Sequence, residues 1–235
     1  MPLLQPSTAQ KSMGIDDHIL AAHALPRPFP ERIVHIGKYV RLEPLSVRHL
    51  DELWNAAETA ESSWTYLRYG PFNDIESLRI TIEDLAGRSQ QPFWAVIDLQ
   101  SGKAQGWLSI CDIYPHESAA EIGSIWFSPQ LQKSRASTEA VFLLMEYVFD
   151  QLGYARLVWR CVDDNFPSRR AAERYGFVFE GIWRSGAVFK QMTRDIRWHS
   201  MLLREWPDRR NSIRCWLREA NFDHSGKSIR RLADC

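Results

Sequence analysis

Between Glu121 and Gly181 the chain sets a strand-like run, EIGSIWF, ahead of a loop, SPQLQKSRAS, that carries Lys133 and Arg135 and opens into a long helical stretch. A second strand-like run and the segment DDNFPSRRAAERYGF follow. A strand that feeds a helix through a cationic turn is suited to phosphate, because the first-turn amides lack acceptors inside the helix and the positive end of its dipole lies there. Lys133 and Arg135 add charge, and a guanidinium can grip phosphate in bidentate fashion. These residues point to a phosphorylated cofactor.

Strands must carry this loop, and helices must cover them. Tyr39 to Leu45 reads as a strand, and Val47 to Ala60 as a helix with Leu50, Leu53, Trp54 and Ala57 at helical spacing. The stretch SSWTYLRYGPFN is dense in aromatics, and Asp74 to Arg88 is helical again. Phe93 to Leu99, Ala104 to Tyr114 and Ala120 to Phe127, separated by turn residues, read as an antiparallel meander. The helix after the cationic loop places Val141, Leu144, Met145, Val148 and Leu152 on one face and Glu139, Glu146 and Asp150 on another, and stops at Gly153. Arg156 to Val162 alternates as a strand, and Pro167 suits the first turn of a helix ending at Gly176. Phe177 to Trp183 and Asp195 to Leu203 form a final pair of strands, and Asn211 to Ala220 a last helix. This order predicts a mixed α/β (α+β) layer, whose ligands bind where strand ends and helix N-termini converge.

Three prolines, Pro26, Pro28 and Pro30, mark residues 1–32 as an N-terminal extension, with one domain over 33–207 and a basic C-terminal extension over 208–235. The 29 basic and 29 acidic residues balance, so neither nucleic acid nor an anionic membrane is an expected partner. Cys111, Cys161, Cys215 and Cys235 form no CxxC pair and have no zinc-like spacing to histidine, so no metal site is expected and a reducing cytoplasm is the expected location. The N-terminus shows no signal-peptide pattern and no window approaches a membrane span.

The series EIG, SPQLQKSRASTEA and FDQLGYARLVWRCVDDNFPSRRAAERYGFVFEG resembles the GNAT superfamily of acetyl-CoA-dependent N-acetyltransferases, and most of all its RimJ/RimL-type branch, over about residues 33–207. The resemblance implies a single acyltransferase domain with a mostly antiparallel twisted sheet flanked by helices. It also implies direct acetyl transfer from acetyl-CoA, through a tetrahedral intermediate and without metal, to the primary amine of a protein N-terminus or a small molecule. A homodimer is compatible with it. The family's pyrophosphate loop usually reads Q/R-x-x-G-x-G/A; here Gln130, Lys133 and Arg135 occupy the matching positions and both glycines are missing. The donors in such a loop are backbone amides, which every residue but proline supplies. The missing glycines also motivate the alternative of a noncatalytic CoA-binding or protein-interaction module.

By resemblance, the cofactor would meet Trp126, Phe127, Ser128, Gln130, Lys133, Ser134, Arg135, Ala136, Ser137, Asn165 and Ser168, with amides around Trp126 to Ser128 facing the acetyl oxygen. Asn165 matches the asparagine that contacts the cofactor arm; its alternative is a helix cap. Ser168 matches a serine proposed to protonate the leaving thiolate; its alternative is an N-terminal capping hydroxyl. The tyrosine that many family members place four residues before the closing glycine is Ala172 here, and Tyr175 faces elsewhere on the helix. Glu121 is the preferred general base over Glu180, if burial raises its pKa; its alternative is a strand-edge carboxylate paired to a surface arginine. Trp64, Tyr66, Tyr69 and Tyr114 are expected to line the acceptor pocket, or to be packing residues.

Overall fold

The computed structural model describes residues 25–58 and 60–235. Its strands are β1 (His35–Ile36), β2 (Val40–Pro44), β3 (Phe93–Asp98), β4 (Lys103–Tyr114), β5 (Ala119–Phe127), β6 (Arg156–Val162), β7 (Val178–Phe189) and β8 (Met192–Leu202). The helices are α1 (Leu50–Ala57), α2 (Ile75–Gly87), α3 (Arg135–Glu146), α4 (Phe166–Tyr175) and α5 (Trp206–Leu217). One sheet runs β1-β2-β3-β4-β5-β6-β8-β7, antiparallel at every step except β5 with β6.

Alternation along the strands feeds two cores. On one face Trp94, Val96, Leu108, Ile110, Ile122 and Leu157 pack with Ala140, Val141, Leu144 and Met145 of α3 and with residues of α4 and α5. On the other, Phe93, Ala95, Ile97 and Trp107 pack with Leu53 of α1 and with Leu78, Ile82 and Leu85 of α2. Asp74 caps α2 by accepting from the Ser77 amide at 2.7 Å.

The apolar stripe expected on α3 is buried, but its acidic side is not a solvent face. Glu139 is buried and accepts from the amides of Lys38, Tyr39 and Val40 at 2.9, 2.6 and 2.9 Å, which satisfies the turn between β1 and β2. Asp150, in the π-helical turn that continues α3, takes Trp206 Nε1 at 2.7 Å and Arg210 at 3.0 Å, and Glu146 pairs with Arg214 at 2.5 Å. The basic residues after Pro207 therefore dock α5 onto α3. Trp206, Ile213, Trp216, Leu217 and Leu232 join the same core, so residues 208–235, set apart above as an extension, are built into this layer. At the other end Pro28 O accepts from Tyr154 and the Glu31 amide donates to Tyr147, so residues 25–32 lie along the same domain; the rest of the 1–32 extension falls outside the described residues.

Candidate active site

β5 and β6 pair only from Ala119 with Arg156 to Glu121 with Val158, and both strands then continue without each other. The sheet opens at that point, and a cavity of about 1230 Å³ occupies the gap. Glu121 stands at its apex. β5 also bulges between Gly123 and Trp126, where Ser124 has φ +51.

The wall on the α3 and α4 side holds the cofactor candidates. Ser134 caps α3 by accepting from the Ser137 amide at 2.9 Å; the amides of Arg135 and Ala136, next in the first turn, have no acceptor among the described residues. Lys133 has φ +59, so the loop keeps the left-handed geometry that glycine favours even though glycine is absent. Lys133, Ser137, Thr138, Arg170, Arg174 and Trp216 line the cavity, and none of the three cations has an ion pair among the described residues. Unpartnered amides beside cations that have no carboxylate partner fit a pyrophosphate-bearing cofactor. At the inner end, Asn165 caps α4 by accepting from the Ser168 amide at 3.2 Å, and both residues line the cavity. The Ser168 hydroxyl is not a cap: it accepts from Trp159 Nε1 at 3.0 Å, which leaves its own proton available.

Glu121 turns to the opposite face. It is buried, and that burial pushes its carboxyl up to about 7, against the pull of Arg160, whose Nε donates to it. Arg160 also pairs with Asp112 and lies 4.8 Å over the Trp198 ring. A Cβ on Gly123 would come within 2.8 Å of Glu121 Oε1 and 2.9 Å of Cys111 Sγ, so glycine leaves the carboxyl its room. Glu121 is thus both paired to an arginine, as one reading has it, and desolvated, as the other requires. Glu180 differs: it is bound by Arg156 and Ser200, its carboxyl is held below the usual range by Arg156, and it lies outside the cavity.

Tyr66 and Tyr69 line this half, and Tyr66 donates to Asp164 O at 3.0 Å. Trp126 lines it as well, donating to Ser63 Oγ at 2.9 Å. Trp64 lies behind Trp126, stacked at 4.3 Å and 13°, and supports the wall without lining it. Tyr114 does not reach the cavity: it pairs with Ala119, on the closed side of the apex, and is 53% exposed.

Several cofactor candidates also lie off the cavity surface. The Ser128 amide and hydroxyl are both taken by Gln105, at 2.8 and 2.7 Å. Alternation then turns the Phe127 peptide away from β4, and its carbonyl accepts from Gln132 Nε2 at 2.9 Å. Phe127 lines the cavity, and by the same alternation its amide, unlike that of Ser128, is turned away from β4. Gln130 is exposed beside the loop, and Ala136 is buried beneath it. The Arg135 guanidinium is held between two rings, 4.6 Å from Tyr39 and 3.4 Å from Phe222.

Sequence reasoning missed the residues that shape the half of the cavity that Glu121 faces. Gln91 Nε2 donates to Ser109 Oγ and Ser124 Oγ, both at 3.0 Å, and so fixes the β5 bulge. Arg160 had a readable signal, a lone charge inside the strand LVWRCV, which implies a buried partner. Among the described residues no cluster of three or more histidine, cysteine or acidic side chains could hold a metal ion.

The model of the acetyltransferase (GNAT) domain matches residues 40–178. The chain is 43% identical to a GCN5-related N-acetyltransferase from Brucella melitensis of known crystal structure, over 89% of this chain and 96% of that one, with a TM-score of 0.87. It is 28% identical to the Bacillus subtilis protein named "Putative ribosomal N-acetyltransferase YdaF", over 70% of this chain and 90% of that protein. The microcin C7 self-immunity acetyltransferase MccE, solved in complex with acetyl-CoA and AMP, shares the fold at 20% identity, with 74% of this chain and 98% of that one covered and a TM-score of 0.64.

Proposed function

Because the chain belongs to the GNAT acetyltransferase family and is an N-acetyltransferase, we propose that it moves the acetyl group of acetyl-CoA directly onto a primary amine, that of a protein N-terminus or a small molecule. The observation that carries this reading is the placement of a buried carboxyl at the apex of the sheet opening. Glu121 faces one half of the cavity, and the phosphate-suited loop and Ser168 face the other. The RimJ/RimL-type branch is consistent with the relative named for ribosomal acetylation.

Lys133, Arg170, Arg174 and the first-turn amides of α3 would hold the cofactor's phosphates, and Asn165 its arm. When bound, acetyl-CoA supplies an acetyl group activated as a thioester. Glu121, ionised above about pH 7, takes a proton from the amine directly or through water. The Phe127 amide donates to the acetyl oxygen as charge grows there, an effect of about 3 kcal/mol for one donor in a dry site. Ser168 gives its proton to the departing sulfur, regains one from solvent as Glu121 releases its own, and is held in place by Trp159. This assigns no step to Tyr175, whose hydroxyl lies 3.5 Å from Ser137 O and donates to it.

Calorimetry with acetyl-CoA and a thiol-release assay over a panel of amines test the proposal. Micromolar binding together with acceptor-dependent thiol release is expected. Binding without release for any amine would leave a CoA-binding module and overturn it.

A further inference from the structure

The hairpin of β7 and β8 reaches back over the acceptor half of the cavity. At its tip Lys190 Nζ donates to Trp64 O at 2.7 Å, which ties the hairpin to the aromatic segment before α2. Phe189 and Arg68 line the cavity there, with the Arg68 guanidinium 5.3 Å and the Arg194 guanidinium 5.6 Å from the Phe189 ring centre, while Arg194 and Lys190 stand off the cavity surface. None of Arg68, Lys190 and Arg194 has a carboxylate within ion-pairing distance among the described residues. Arg194 Nε is buried without a hydrogen-bond partner, and burial with the Arg194 charge lowers the Lys190 pKa. The other charges of this half are matched: Arg160 with Glu121 and Asp112, Arg88 with Asp84.

Two guanidiniums at one ring, with an ammonium beside one of them and an unpartnered buried donor, cost free energy unless an anion completes them. We infer that Arg68 on the cavity wall, backed by the charges of Lys190 and Arg194 behind it, forms a subsite for an anionic group of the acceptor, so that the substrate is an amine that also carries a carboxylate or phosphate. This rests on the proposed transfer to an amine and narrows it. The amine would lie at Glu121 and the anion at the hairpin tip, on the same half of the cavity. A polycationic acceptor would meet repulsion at the tip. The anion could belong to a free amino acid or phosphorylated amine, or to an acidic side chain near a peptide N-terminus.

The test measures kcat/KM for matched pairs: glutamate and its carboxamides, phosphoethanolamine and ethanolamine, and tripeptides with glutamate or glutamine in second position. Wild-type protein should prefer the anionic member of at least one pair by about tenfold or more, as charged hydrogen bonds in a site imply. Which pair shows the preference distinguishes a free acceptor from a peptide. Arg68→Gln and Arg194→Gln should each shrink that ratio, and Arg68→Glu should invert it. Equal rates within every pair would overturn the inference while leaving amine acetylation intact. Variants that raise KM for acetyl-CoA with the ratio unchanged would also overturn it, because the cations would then serve the cofactor. Activity on no amine at all would sink the underlying reaction and this subsite with it.

Discussion

The two halves of the cavity are built in different ways. On the cofactor side the decisive contacts are local: Ser134 with Ser137, Asn165 with Ser168, and Ser168 with Trp159 nine residues away. On the acceptor side they span the chain: Gln91 with Ser124, Arg160 with Glu121, Tyr66 with Asp164, and Lys190 with Trp64 126 residues earlier. A helix cap is formed by its own neighbours, so the capped starts of α3 and α4 need little beyond those helices to take shape. The acceptor half exists only once the sheet has closed. It can therefore be altered by changing one hairpin or one loop, which suits a fold that keeps a cofactor and varies an acceptor.

The sharpest way to break this division is at Glu121, where the halves meet. Glu121→Gln should lower kcat/KM by about 10²- to 10⁴-fold, the range for a positioned acid or base, and leave acetyl-CoA affinity unchanged. In the wild type the rate should rise with pH through about 7 as the carboxyl ionises, and the variant should lose that limb. Stability should respond too. The folded chain keeps the Glu121 proton between the ordinary 4.5 and about 7, where the unfolded chain has released it, so this group makes stability fall as pH rises through that window. Urea titrations at several pH values should show a flatter dependence in the variant. An unchanged acidic limb would move the base elsewhere.

Ser168→Ala tests the cofactor half, and should lower kcat by about 10²-fold, the low end of general-acid effects, with KM for the acceptor little changed. The same change leaves Trp159 Nε1 without its acceptor, at a cost of about 1–3 kcal/mol in thermal or urea unfolding. The double variant Trp159→Phe, Ser168→Ala separates the two roles. It should regain stability and remain slow; recovered turnover would reduce Ser168 to a support for the tryptophan.

The same contrast explains what the residues disclosed. Arg156 to Val162 and the helix between Asn165 and Gly176 are legible because alternation, a cap, a proline and a glycine stop all lie within the segment. The last two strands are not: Lys190 and Gln191 both take left-handed φ, 49° and 59°, in a two-residue turn that normally announces itself with Asn-Gly, so the hairpin is longer than Phe177–Trp183 and Asp195–Leu203 suggest. Glu139 reads only as one of three acids on a second face of the helix, because its partners are three amides about a hundred positions away. Tyr114 and Tyr69 look alike as aromatics beside turn residues, Pro115 after the first and Gly70-Pro71 after the second. Only the strand register puts the first on the closed side of the apex, while the second accepts from Trp107 Nε1 at 3.0 Å behind the bulge.

The smallest expected effect bears on whether glycine geometry or charge governs the cofactor loop. Lys133 holds a left-handed backbone, which costs an ordinary residue about 1 kcal/mol relative to glycine, yet its side chain brings a cation to the cavity wall. Lys133→Ala keeps the backbone cost and removes the charge, whereas Lys133→Gly removes both. If charge governs, calorimetry should find both variants weaker for acetyl-CoA by a similar factor, about tenfold for one lost charged hydrogen bond, while the glycine variant alone gains up to about 1 kcal/mol in unfolding stability. If geometry governs, the glycine variant should bind as well as the wild type. The second outcome would mean that lysine here is tolerated and contributes nothing. The first would mean that this loop uses its side chain for part of what a glycine loop does with backbone alone, and accepts a strained residue to keep it.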